Sequence, residues 1–253
     1  MVAKDSITFD DVLLEPQYSD IATRQDIRFE ATLSRVEHVF TLPVISSPMD
    51  TITGGLMAAA LSKAGGLGIV HRYLSVEAQC REVEIAFEQG ASVVGAAIGV
   101  GDDFYIRADR LLGLNPNVIL CIDVAHGHHA KVRNALAALR NGCARDRHIM
   151  AGNVATLKGF NDLVAWGADS VRCGIGGGSI CTTRVQTGHG VPTLQTIKNC
   201  AASDTDATLV ADGGFKKAGD IVKGFAAGAD FVMLGSMLAG STESPGKILK
   251  KSD

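Results

Sequence analysis

Eight short apolar runs ending in small or polar residues alternate with longer stretches whose apolar positions recur every three or four residues, and this predicts an α/β fold of the (β/α)8 TIM-barrel type. Two bulk properties agree. The chain has 253 residues, about the size of one such barrel, and its 46% hydrophobic content with only 5% aromatics suits a parallel sheet buried on both faces. A single catalytic domain over 1–253 is the expectation, with an open doubly wound sheet as the lesser option.

The runs, in order, are Leu42 to Ser46, Leu67 to Val70, Val93 to Ile98, Val118 to Asp123, His148 to Gly152, Ser170 to Gly174, Thr208 to Asp212 and Phe231 to Leu234. Their lengths are those of barrel strands. Between Ser75 and Gly90 the residues Val76, Cys80, Val83 and Phe87 keep helical spacing, with Ser75 as N-cap and Gly90 as stop. Similar patterns predict helices over Met57 to Ala64, Ala130 to Leu139, Leu157 to Trp166 and Ala218 to Ala227. After the eighth run, Pro245-Gly246 interrupts the remaining residues, so a complete eighth helix has little room.

Charge and cysteine usage narrow the function. A net charge of -3 with no run of basic residues predicts a small-molecule partner and no nucleic acid. The polar, acidic start does not read as a secretory signal, and no apolar run reaches the ~18 residues of a membrane span, so no membrane association and a cytoplasmic location are expected. The six cysteines lack zinc-like spacing, and five of them, Cys80, Cys121, Cys143, Cys173 and Cys200, read as reduced packing residues.

In a parallel barrel the loops after the strands open on one face and build the site there. Ser46 to Asp50, His71-Arg72, Asp123 with His126, His128 and His129, and Asn153 all fall on such loops. The segment Gly174 to Arg184 is the richest. Its glycines let successive amides converge on an anion, and Ser179 adds a hydroxyl. Asp212-Gly213-Gly214 and Gly235-Ser236 end the next two runs, where barrels often hold a phosphate. Cys181 follows the glycines among Ser179, Thr182, Thr183 and Arg184, a setting in which a cation and amide dipoles favour a nucleophilic thiolate. The three histidines read as a solvated helix start rather than a metal cluster, since no carboxylate lies near them in sequence. Arg72 and Arg184 also read as surface charges.

The segment GIGGGSICTTRVQTGHGVP at Gly174 to Pro192 closely resembles the active-site loop of the IMP dehydrogenase and GMP reductase family. TFDDVLLEP at Thr8, SSPMDTIT at Ser46, IMAGNVAT at Ile149, VADGG at Val210 and FVMLGSMLAGSTESPG at Phe231 resemble that family in the same order. The resemblance implies that Cys181 attacks C2 of a purine nucleotide monophosphate beside a nicotinamide. It also implies that Ser179, Asp212, Gly213, Gly214, Gly235 and Ser236 contact ribose and phosphate, and that Ser47 and Met49 line the nucleotide. Asp123 and Asn153 match positions beside the nicotinamide ribose, and Thr183 matches the threonine that helps protonate departing ammonia in the reductases. The carbonyls of Gly176, Gly178 and Cys181 match a potassium site of the dehydrogenases.

Phe87 to Ser92 runs straight into the third strand, without the cystathionine-synthase-like pair that most dehydrogenases insert there, and Thr187-Gly188 is more like the reductases. The reading is therefore an NADPH-dependent GMP reductase, with an NAD-dependent IMP dehydrogenase and a nucleotide-binding barrel without turnover as alternatives. A homotetramer is implied. No residue here is matched to the family's C-terminal flap, which lies past the segment matching Ser244 to Gly246.

Overall fold

A computed structural model of the chain describes residues 6–246. Two 3-10 turns, Phe9–Asp11 and Arg24–Asp26, precede a short antiparallel ribbon of β1 (Ala31–Thr32) and β2 (Val39–Phe40). Then come β3 (Val44–Ser46), α1 (Gly55–Lys63), β4 (Leu67–Val70), α2 (Val76–Glu88), β5 (Val94–Ile98), α3 (Phe104–Leu114), β6 (Val118–Asp123) and α4 (Ala130–Asn141). The chain continues through β7 (Ile149–Val154), α5 (Leu157–Ala165), β8 (Ser170–Cys173), α6 (Thr183–Thr187), α7 (Thr193–Cys200), β9 (Thr208–Asp212), α8 (Ala218–Ala226) and β10 (Phe231–Leu234). Strands β3 to β10 close into a parallel barrel in chain order, β10 pairing β3 with Met233 opposite Ile45. All eight predicted runs are strands of this barrel.

The closed sheet separates two apolar layers. Ile45, Leu67, Ile69, Ile119, Met150, Val210, Phe231 and Met233 fill one cluster with Leu33 and Phe40 of the ribbon segment. Phe40 meets Phe231 edge to face at 5.5 Å. The larger cluster combines strand residues such as Val94, Leu120 and Val171 with helix residues such as Val83, Leu111, Leu136 and Ile197.

Two of the unanticipated helices have polar residues on the face they bury. In α3 the buried set is Arg107, Ala108, Leu111 and Leu112, with Arg107 held by Asp103 and Gln79. In α7 it includes Thr193 and Thr196. Among the described residues no helix follows β10, and the rest of the segment judged too short for an eighth helix lies outside them. None of the described helices is long and apolar enough to cross a membrane.

Four of the five cysteines assigned to packing are buried and Cys143 is partly so, and all are free thiols. Burial pushes the Cys121 thiol up to about 12 and raises those of Cys80, Cys143 and Cys173, which keeps them neutral and poorly nucleophilic.

His148, almost wholly buried, ties the ribbon segment to the barrel. Its Nδ1 lies 2.8 Å from the Ser34 carbonyl, which can only accept, so Nε2, 2.8 Å from the Ser170 hydroxyl, is the acceptor. Burial lowers its pKa from the ordinary 6.5. The unfolded chain therefore takes up the proton first as pH falls, and this contribution to stability is present above about pH 6.5 and lost below it. Urea unfolding at pH 7.5 and 5.5 should show a decline on the order of 1 kcal/mol per pH unit that His148→Gln diminishes. An unchanged pH slope in the variant would contradict the assignment.

Candidate functional site

The site is built where β8, β9 and β10 end. Leaving β8, Gly174 has φ +150, and a Cβ there would lie 2.1 Å from the carbonyl oxygen of Asp212, the last residue of β9. Gly213 has φ +89, and a Cβ there would come within 3.0 Å of the Gly178 amide nitrogen. Only glycine at these two positions lets the two turns touch. Val191 N donates to Ile175 O at 3.3 Å, pinching off the excursion that carries Cys181 and α6.

A cavity of about 300 Å³ opens beside these turns. Its lining includes Ser47, Met49, Ser179, Asp212, Gly213, Gly214, Gly235 and Ser236, so the eight residues expected to contact a nucleotide are brought together. Successive amides, three serine hydroxyls and a carboxylate suit a phosphorylated sugar, while Ile52, Ile180 and Met233 supply apolar surface for a flat ring.

Cys181 lines a second, neighbouring cavity of about 290 Å³, with Thr183, Asp123, Asn153, Arg72, Tyr73 and Arg172. The boundary between the cavities is thin: Gly178 lines the first, and a Cβ built on it would lie 3.3 Å from the Cβ of Cys181. The half-buried thiol donates to the Thr183 hydroxyl at 3.3 Å. Arg184, expected to help favour the thiolate, does not line this cavity. Its stem packs at Gly176 and Gly190, and it lines a separate cleft with Asp10, Lys216 and Asp220, because the pinched loop turns it to the other side.

The sequence reading missed Arg172. This guanidinium, 5% exposed, donates through Nη1 to Asp123 Oδ1 at 2.6 Å and through Nη2 to Asp212 Oδ2 at 2.8 Å. Asn153 Nδ2 donates to the same Asp212 oxygen at 2.7 Å and to the Gly174 carbonyl at 2.8 Å. Arg72 Nε donates to the Asp123 carbonyl at 3.1 Å, so it belongs to the site rather than to the bare surface. Burial opposes the charge on Arg172, but Asp212 and Asp123 more than offset it and hold the group well above its usual range. The available signal was a lone cation inside the apolar strand Ser170–Cys173.

Of the histidines, His129 Nδ1 caps α4 by accepting from Lys131 N at 3.0 Å, as a helix start should. No carboxylate lies near the histidines in sequence, but α5 brings Asp162 in, with its Oδ2 2.6 Å from His128 Nε2. Among the described residues no cluster of three or more His, Cys, Asp or Glu could hold a metal.

The profile of the IMP dehydrogenase / GMP reductase domain matches residues 6–252. An inosine-5'-monophosphate dehydrogenase of Nitrosopumilus maritimus is 30% identical, the match covering 100% of this chain and 79% of that protein. A GMP reductase of Klebsiella pneumoniae is 38% identical over 96% of this chain and 72% of its own length. The crystal structure of an inosine 5' monophosphate dehydrogenase from Legionella pneumophila superposes with a TM-score of 0.88 at 43% identity, over 97% of this chain and 74% of that one.

The glycine contacts make a paired prediction. Gly213→Ala forces a side chain into a left-handed conformation and should cost about 1–3 kcal/mol. Gly219→Ala, inside α8 with open space around it, should stabilise by up to about 1 kcal/mol. Urea titrations of both variants check the contrast, and equal effects would contradict it.

Proposed function

Because the chain belongs to the IMP dehydrogenase / GMP reductase family, whose members are oxidoreductases acting on purine nucleotides with nicotinamide cofactors, we propose that it reduces GMP to IMP and ammonia with NADPH. The observation that carries this reading is the pairing of Cys181 and Thr183 in one cavity, directly beside the cavity of glycine turns and Asp212.

In this reading Ser179, Gly213, Gly214, Gly235 and Ser236 hold the phosphate, Asp212 the ribose, and Ser47 and Met49 the nucleotide wall. Cys181 adds through sulfur to C2 of GMP, and the 2-amino group leaves. The thiol proton moves to the departing nitrogen with the help of Thr183, 3.3 Å from the sulfur, so that ammonia departs and a thioimidate remains. The nicotinamide, when bound, supplies the hydride that takes the place of the amino group. The carbon–sulfur bond then breaks, IMP departs, and the thiolate regains a proton from solvent.

The residues around Cys181 fit a nicotinamide ribose. Asp123 keeps acceptor capacity beyond its Arg172 bond, since a carboxylate offers about four lone-pair sites, and Asn153 stands on the neighbouring strand. A potassium ion would find few ligands here. Gly176, Gly178 and Cys181 offer three carbonyls from one loop, and Gly178 O already accepts from Cys181 N, whereas a hard cation gathers about six oxygens.

Reductase rather than dehydrogenase is favoured by the direct passage from α2 to β5, without an inserted regulatory domain. The Klebsiella reductase aligns over 255 residues, against 379 for the Nitrosopumilus dehydrogenase. The 43% identity to the Legionella dehydrogenase favours the second reading, NAD-dependent oxidation of IMP to XMP. A homotetramer in the cytoplasm completes the proposal.

Spectrophotometry separates the readings. Oxidation of NADPH with GMP supports the first, reduction of NAD with IMP the second, and nucleotide binding without either turnover leaves a binding barrel. Cys181→Ala should lower whichever rate is found by at least about 1,000-fold while retaining nucleotide affinity; substantial residual turnover would exclude the covalent route.

A further inference from the structure

The partly buried ion chain described above crosses four neighbouring strands: Asp123 ends β6, Asn153 lies near the end of β7, Arg172 lies within β8, and Asp212 ends β9. Stability alone is a poor reason for it. A buried ion pair often contributes no more than an apolar pair of similar size, because desolvation cancels much of the attraction. Its members, however, line different cavities: Asp212 faces the glycine-turn cavity, and Asp123 faces the cavity of Cys181.

The hydrogen bonds are divided in a way that orients both carboxylates. Arg172 and Asn153 both donate to Asp212 Oδ2, so that oxygen is filled and Oδ1 is left as the remaining acceptor. At Asp123, Arg172 takes Oδ1 at 2.6 Å while Arg72 stands 3.5 Å from Oδ2. The other close partner of Arg172 is Cys121 Sγ at 3.6 Å, a weak acceptor that does not compete with the carboxylates. A planar guanidinium can hold two carboxylates at a fixed distance and angle, which separate cations could not.

We propose that Arg172 is a positioning residue shared by the two subsites, acting through Asp212 on the purine nucleotide and through Asp123 on the dinucleotide. This rests on the functional reading above. The nucleotide ribose then meets one preset oxygen of Asp212, and the nicotinamide ribose meets an Asp123 held in register with it. The distance between the two ligands is thereby set by the one side chain that joins both carboxylates.

A crossed set of double-mutant cycles tests this, using calorimetric Kd values for GMP alone and for NADP+ added to GMP-saturated protein, a pair that cannot react. Arg172→Met should weaken both by about tenfold or more. In an Asp212→Asn background the same substitution should change GMP affinity less than about twofold, while in an Asp123→Asn background it should keep its effect on GMP and lose its effect on NADP+. Arg172→Lys, which keeps a cation, should bind both ligands more tightly than Arg172→Met. A general loosening of the barrel would instead add its effect in every background, and that result, or affinities unchanged in Arg172→Met, would overturn the role of Arg172 alone. Absence of GMP and IMP binding by the unaltered chain would overturn the functional reading and this one together.

Discussion

The backbone leaving β8 and the backbone leaving β9 are pressed together at Gly174 and Gly213, and the rest of the site depends on that contact. A side chain at either position would part the turns. With them in contact, Ser179 comes beside Asp212 and Gly214, and the chain carries Cys181 to the neighbouring cavity before returning through the Ile175–Val191 bridge. The parallel barrel supplies the reason these turns are neighbours at all, since closure in chain order sets β8, β9 and β10 side by side with their ends on one face.

Electrostatics follows from the same arrangement. Crowding the strand ends brings the carboxylates of Asp123 and Asp212 toward a common centre, where buried charges of one sign would repel strongly. Arg172 stands between them and Arg72 lies beside Asp123, so two cations offset the two acidic groups while each carboxylate retains capacity for a ligand hydroxyl. Cys80, Cys121, Cys173 and Cys200 are buried and Cys143, like Cys181, is partly so; it is Cys181 that lies against the cavity of Thr183 and Asp123.

Much of this was legible in the residue order. The barrel strands alternate so regularly with helical stretches that all eight were found, and the glycine clusters pointed to the cavity they share. What escaped has physical causes. The β1 and β2 ribbon has two residues per strand, too few for a periodicity. Helix α7 buries threonines, so its inner face does not read as apolar. Arg172 and the His128–Asp162 pair depend on contacts between residues dozens of positions apart, for which local spacing gives no signal. The side to which Arg184 turns was set by the loop's closure, also a long-range event.

Two cavities meeting at Cys181 make a single geometric claim: one purine spans the boundary, its phosphate among the turns and its C2 against the sulfur. A crystal structure of the chain with GMP measures this directly. The claim requires the phosphate at Ser179, Gly214 and Ser236 with C2 about 3–3.5 Å from Cys181 Sγ. A nucleotide bound elsewhere, or bound with its base directed away from that sulfur, would contradict it.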